Sequence, residues 1–176
     1  NRAEIVGSEA GAPRLYAILY ARDDDRKTSL YRSDDAGDTW TYMHDVRDYW
    51  QTLNASIEDA DRFAWGGVEV HLSRDGGQSF DIVNAWGDYY EDPVNKLHAD
   101  IPGLDVVLTD DGEEIWYVDT DGGLYRSFDG LETVENLSLQ GLRVSQYYST
   151  LTSTKSPHPI AAGAQDQGYQ LSYEDQ

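Results

Sequence analysis

Short apolar bursts alternate along this chain with polar segments rich in Asp and Gly, the pattern of half-buried β-strands joined by tight turns. Leu30-Tyr31-Arg32-Ser33, Val70-His71-Leu72-Ser73 and Leu124-Tyr125-Arg126-Ser127 read as strands, each ending on a serine. A second apolar run lies upstream of each: Leu15 to Tyr20, Arg62 to Trp65, and Glu114 to Val118. A further run spans Pro159 to Ala164, ahead of Tyr169-Gln170-Leu171-Ser172.

Each serine opens the same turn signal. Ser33 leads into Asp34-Asp35-Ala36-Gly37-Asp38-Thr39-Trp40, and Ser73 into Arg74-Asp75-Gly76-Gly77-Gln78-Ser79-Phe80. The shared pattern is Ser-x-Asp-x-Gly-x-(Thr or Ser)-aromatic. In a third copy, Ser127-Phe128-Asp129-Gly130-Leu131-Glu132-Thr133-Val134, Leu131 stands in place of Gly and Val134 in place of the aromatic. The three serines lie 40 and 54 residues apart, and Ser172 follows 45 residues later, opening a fourth copy. Repeats of about 40 to 50 residues are those of four-stranded propeller blades. In each copy the Asp carboxylate can accept bonds from turn N–H groups, and the Gly can take positive φ where the chain reverses. Hairpin turns are therefore expected at 34–38, 74–78 and 128–132, with Trp40 and Phe80 buried beneath them.

The fold class expected is all-β: a partial propeller of four-stranded antiparallel blades, about three and a half of them in a single segment. Blades should span about 3–43, 49–83, 97–137 and 145–176, the last without its outer strand. Because rings usually need 4 to 8 blades, further blades or another chain are expected to complete this one. The chain opens on Asn1, with neither Met nor a leader, so a mature form or a fragment is expected.

Composition sharpens the picture. There are 23 Asp against 10 Glu, and Asp favours turns, whereas Glu is tolerated in helices. Aromatics reach 12%, dominated by 13 Tyr and 5 Trp, and such residues suit half-buried strands. With 13 Lys plus Arg against 33 Asp plus Glu, the net charge is −20. Nucleic acid and anionic lipid would be repelled, so partners should be neutral or cationic. The longest apolar run, Leu15 to Ala21, is far short of the roughly 20 residues that span a bilayer. Cysteine is absent, which removes disulfides and thiolate chemistry.

The two intact copies resemble the Asp-box, or bacterial neuraminidase repeat, of sialidases, two-propeller xyloglucan hydrolases, sortilin-type receptors and many secreted bacterial proteins. A second resemblance covers the later half. It rests on Lys96-Leu97-His98-Ala99-Asp100-Ile101, the run from Tyr117 to Ser127, the run from Gly141 to Tyr148, and Gly163-Ala164-Gln165-Asp166-Gln167-Gly168. That order is similar to large secreted Asp-box proteins of bacteria described as sialidase-like or glycosyl-hydrolase-like. The resemblance implies an extracellular or periplasmic protein whose ligand is a carbohydrate or a protein. No cofactor is expected, and no metal, because a zinc site needs three or four ligands and His44, His71 and His158 fall at places in the blade pattern unrelated to His98.

In such a propeller the box turns occupy one face, and the connections between blades share the opposite face with the turns between second and third strands. The second face should carry Tyr49, Trp50, Trp86, Tyr89 and Tyr90, with His98 and Gln165 near the channel mouth. Exposed aromatics among carboxylates are the materials of a carbohydrate cleft; the competing role is filling gaps between blades. Asp121 and Asp166 occupy corresponding turns of adjacent blades and could act as the acid and base of a glycoside hydrolase. Turn bracing is the alternative for both. Xyloglucan hydrolases place a catalytic Asp in Thr-Asp-x-Gly-Gly, whereas Thr120-Asp121-Gly122-Gly123 lacks the intervening residue. A sialidase would need three arginines around the sugar carboxylate and a tyrosine nucleophile, and no Phe-Arg-Ile-Pro-like start is present. Asp35, Asp75 and Asp129 are assigned to turn structure, together with Ser33, Gly37, Thr39, Gly77, Ser79 and Thr133. His98 and Asp100, two apart on an inner strand, should face one side. Asn54-Ala55-Ser56 and Asn136-Leu137-Ser138 fit glycosylation sequons. A binding or scaffold module is the leading expectation, and a hydrolase segment the alternative.

Overall fold

The computed structural model describes residues 2–11, 13–21, 27–46, 49, 52–141, 147–155, 158–164 and 168–173. These residues form four antiparallel sheets, each a simple meander in chain order. The first contains β1 (Arg2–Gly7), β2 (Leu15–Ala21), β3 (Lys27–Ser33) and β4 (Thr41–Val46). The second contains β5 (Thr52–Ala55), β6 (Phe63–Gly66), β7 (Val70–Ser73) and β8 (Asp81–Ile82). The third contains β9 (Gly103–Leu108), β10 (Glu114–Thr120), β11 (Gly123–Ser127) and β12 (Glu135–Asn136). A three-stranded sheet follows, of β13 (Tyr147–Thr152), β14 (Ile160–Ala164) and β15 (Gly168–Ser172). Helix among the described residues is limited to two 3₁₀ turns, Trp86–Tyr90 and Ser138–Gln140. The inner strands β1, β5 and β9 pack side by side, as the blades of a propeller do.

The core lies between blades. Side chains of successive strand residues point to opposite faces, so Phe63 and Trp65 of β6 face the first blade while Ala64 faces the third. Tyr16, Ile18, Leu30, Val46, Leu53 and Ala55 join Phe63 and Trp65 in one buried cluster. The Tyr16 and Phe63 rings stack there at 3.7 Å. The Tyr16 hydroxyl donates to the Ala60 carbonyl at 2.7 Å, and burial pushes its pKa up to about 12. Ala64, Val70, Leu72, Leu97, Ile101, Leu104, Trp116, Val118, Tyr125, Leu131 and Val134 form the second cluster. None of the described residues of the three-stranded sheet is buried.

The three turns share one hydrogen-bond set. Ser33 Oγ donates to Asp35 Oδ1 at 2.8 Å and accepts the Gly37 N–H at 2.9 Å. Asp35 accepts the Thr39 N–H at 2.8 Å and its hydroxyl at 2.6 Å. Ser73, Asp75, Gly77 and Ser79 repeat this, with bonds of 2.9, 2.8, 2.9 and 2.6 Å. The divergent copy keeps it: Ser127 donates to Asp129 at 2.8 Å and accepts from Leu131 N at 2.9 Å, and Thr133 donates twice to Asp129. Two successive residues take positive φ in every copy: Ala36 and Gly37, Gly76 and Gly77, Gly130 and Leu131. Leu131, at φ 72°, tolerates a backbone state that costs a side-chain-bearing residue about 1 to 2 kcal/mol. Its side chain is fully buried in the second cluster, which offsets that strain.

Three expectations are corrected. Trp40 is 37% exposed rather than buried. The box aromatic packs on the preceding blade, as half-buried Phe80 does against His44 of β4 at 5.0 Å while also meeting Phe63 of its own blade at 5.4 Å, and no described strand covers the corresponding face of β1–β4. Phe80 is itself half-buried rather than fully buried. His98 and Asp100 precede β9 instead of lying on an inner strand, because Asp100, at φ 60°, breaks the extended run. Both sequon asparagines are engaged: Asn136 Nδ2 donates to Pro93 O and Tyr125 Oη, and Asn54 Nδ2 to Leu104 O.

Two outcomes follow for stability. Phe63→Ala should cost roughly 3 to 5 kcal/mol, as truncation of a buried aromatic does, whereas Trp40→Ala should cost about 1 kcal/mol or less. Urea unfolding of the two variants checks the ranking. Burial opposes the charge on Asp75, yet the bonds from Ser79, Ser73 and Gln78 outweigh it and hold the carboxyl down at about 2. A carboxyl depressed in the folded state stabilises fully above the ordinary value near 3.9 and loses that contribution as pH falls toward 2. The stability gap between wild type and Asp75→Asn should therefore be constant above about pH 4 and shrink below it. A pH series of urea midpoints reads this directly.

Candidate functional site

Strand β7 runs from the Gly67-Val68-Glu69 turn to Ser73, so this turn and the box turn lie at opposite ends of the blade. The long connection from β8 to β9 sits at the end away from the boxes. Its base is pinched by Asn84, whose Oδ1 accepts the Leu97 N–H at 2.9 Å and whose Nδ2 donates to Leu97 O at 3.1 Å and Ala85 O at 2.9 Å. Within it Trp86–Tyr90 forms the 3₁₀ turn, closed by Asp88 N–H to Ala85 O at 3.0 Å. Further along, Asn95 donates to the Asp92 carboxylate at 3.0 Å. The third blade holds the outer side, through Asn136 N–H to Val94 O and Asn136 Nδ2 to Pro93 O, both at 3.0 Å.

The end of this connection threads between two turns. Asp100 N–H donates to Val68 O at 3.0 Å and Ile101 N–H to Gly67 O at 2.8 Å, while Asp121 N–H donates to Asp100 O at 3.2 Å. Leu97 and Ile101 drop into the second core cluster. His98 is buried between them, with Nδ1 3.0 Å from Ala99 O. Tyr89 stands edge-on to the His98 ring at 4.6 Å, and Tyr90 packs edge-on to Tyr89 at 5.4 Å. Trp86 meets Tyr90 at 6.2 Å with the rings 87° apart. His98 thus supports an aromatic group whose outer members are open to solvent, Trp86 at 51% and Tyr90 at 61%.

The structure brings Trp86, Tyr89, Tyr90 and His98 together, with Asp121 joined through the backbone and exposed on the turn beyond. Tyr49 is exposed, and its carbonyl lies against Gly67 at the same end. Trp50, Gln165 and Asp166 lie outside the described residues. No three His, Cys, Asp or Glu side chains among the described residues gather as a metal would require. An apolar groove of about 400 Å³ lined by Ile5, Ala17, Leu19, Tyr31 and Trp40 lies elsewhere, on the uncovered face of the first blade.

The box end has a different chemistry. Arg32 Nη1 donates to Gly76 O of the next blade at 2.9 Å, and Arg62 Nη1 to Asp129 O at 3.3 Å. Arg14 pairs with Asp34 at 2.6 Å and with Asp61, and Arg74 with Glu132 at 2.6 Å. Arg126 pairs with Glu135. Glu114 stitches the second and third blades, accepting from Ser56 Oγ, the Ile57 and Glu58 amides and Trp116 Nε1. Arg14, Arg62, Arg74 and Glu114 were not singled out from the sequence, although Arg14 and Arg62 carried a signal. Each immediately precedes the residue that pairs with a box serine, Leu15 with Ser33 and Phe63 with Ser73. Asn84 and Leu97, 13 residues apart, carried none.

No family model and no curated protein matches the chain. Among solved structures it is similar to TolB from Acinetobacter baumannii, with 13% identity and a TM-score of 0.51 over 98% of this chain and 44% of that one. It is similar to YCF48 bound to D1 peptide, with 18% identity and a TM-score of 0.46 over 100% of this chain and 56% of that one. A third is 1,3Gal43A, an exo-beta-1,3-galactanase from Clostridium thermocellum, with 14% identity and a TM-score of 0.41 over 96% and 47%. The chain spans about half the length of these structures. At such identities the likeness is one of fold, and the fold is a β-propeller of about three and a half blades.

The tight seat of His98 is testable. A Cβ on Gly122 would come within 2.5 Å of His98 Cβ. Gly122→Ala should therefore cost about 1 to 3 kcal/mol, as overpacking does, and displace the ring. Thermal unfolding together with the His98 ring resonances in NMR would register both effects.

Proposed function

We propose that this chain is a binding and scaffold segment of a secreted Asp-box propeller, holding a glycan or protein ligand on the end opposite the box turns. The observation that carries the reading is the exposed pair Trp86 and Tyr90, fixed on a connection pinned by Asn84, Asn136 and His98. Large aromatics left in water on rigid supports are the usual anchors of recognition surfaces. Three turns with one Ser–Asp hydrogen-bond set support the Asp-box resemblance, and that resemblance supports an extracytoplasmic location. A sialidase reading is disfavoured by the arginines. Arg14, Arg32, Arg62, Arg74 and Arg126 are held at or beside the box end by carboxylates and carbonyls, away from this face.

Screening the protein on glycan and peptide arrays should yield ligands whose binding falls tenfold or more in the Trp86→Ala, Tyr90→Ala double variant. The melting temperature should hardly change, because both side chains are exposed. Ligands that the double variant binds as well as wild type, or that map to the box turns, would refute the assignment.

A further inference from the structure

We infer that the ligand of this end is a protein segment presenting lysine or arginine side chains, whose cationic heads enter the corner between Trp86 and Tyr90. The inference rests on the binding reading above and names its ligand. A sugar ring stacks best on one open, flat aromatic face. Here the two exposed rings stand 87° apart at 6.2 Å, and Tyr89 crosses Tyr90 at 76°. Two walls at right angles make a corner for a compact rounded group rather than a platform. Aromatic faces are negative at their centres and attract ammonium and guanidinium groups, Trp most strongly.

Charge complementarity points the same way. Asp88 lies within the 3₁₀ turn and Glu91 directly after it, both exposed. Residues 84–100 carry four acids, Asp88, Glu91, Asp92 and Asp100, against one base, Lys96. Asp92 is occupied by Asn95, which leaves Asp88 and Glu91 as the nearest exposed carboxylates along the chain. The net charge of −20 draws cations toward the molecule as a whole. The pinned connection makes the corner a pre-formed feature, which lowers the ordering cost of binding.

The test uses the whole chain, titrated with a lysine-rich peptide, the same peptide fully acetylated, and a neutral cello-oligosaccharide, at low and high salt. The lysine-rich peptide should bind, and acetylation should weaken it about tenfold by removing the cations. Trp86→Ala should weaken it by a similar factor, and Trp86→Phe by much less. Because Trp86→Ala leaves the net charge unchanged, unspecific attraction between polycation and acidic protein predicts no loss. Equal binding by Trp86→Ala and wild type, equal binding of the acetylated peptide, or no binding of the basic peptide would each overturn the proposal. Binding of the oligosaccharide that depends on Trp86 would overturn the cationic ligand while leaving the binding face standing. Binding that never depends on Trp86 or Tyr90 would sink both.

Discussion

One buried serine hydroxyl organises each of the first three blades. It sits at the end of the third strand, donates to the aspartate two residues on, and accepts the amide four residues on. The aspartate then gathers the amide and hydroxyl of the Thr or Ser that starts the return. This closure holds two successive residues at positive φ, and it aims the outer strand so that the next side chain lands on the preceding blade. Leu131 shows that the hydrogen bonds, rather than glycine, are the constraint. With Ser127, Asp129 and Thr133 in place, the same geometry persists although a bulky residue occupies the left-handed position.

From that closure follows the placement of the arginines. The box turns expose carbonyls and carboxylates at a fixed height, and arginines of the neighbouring blade reach them. Burial opposes the charge on Arg14, but its bond to Asp34 more than compensates, and the guanidinium is held protonated. Exposed ion pairs contribute little individually. Hydrogen bonds from Arg32 and Arg62 to turn carbonyls of the next blade, Gly76 and Asp129, instead fix how adjacent blades meet. Of the described arginines, all but Arg2 thereby lie at or beside the box end.

The strands and turns were legible because their determinants are local. A period-2 apolar pattern and an eight-residue turn signal need no knowledge of distant contacts, which is why β2, β6, β10 and β14 fall on the apolar runs read from the sequence. Burial of Trp40 was misjudged because a box aromatic is covered by the preceding blade, not by its own turn, and pattern within one blade is silent about its neighbour. His98 was misplaced for a related reason. Its segment looks like a strand, but Leu97 and Ile101 serve the core between the second and third blades, and Asp100 is bent by bonds to two turns remote in sequence. At the candidate site the aromatic content of the connection was readable. The right angle between Trp86 and Tyr90 comes from the 3₁₀ turn that carries both, and the role of His98 as a support beneath Tyr89 from the way the connection folds back on itself, neither of which the residue pattern announces.

The connection from β8 to β9 has almost no regular structure, yet it is among the most constrained segments of the chain. Its two ends do different work. Leu97 and Ile101 fill the core between the second and third blades, while Trp86 and Tyr90 stay in water 7 or more residues earlier. Asn84 ties the two ends together by bonding both the amide and the carbonyl of Leu97. Movement of the aromatic corner is therefore coupled to Leu97, and hence to packing that the blades themselves require. An exposed aromatic corner built this way needs no helix or sheet beneath it. Its rigidity comes from the same contacts that hold one blade against the next.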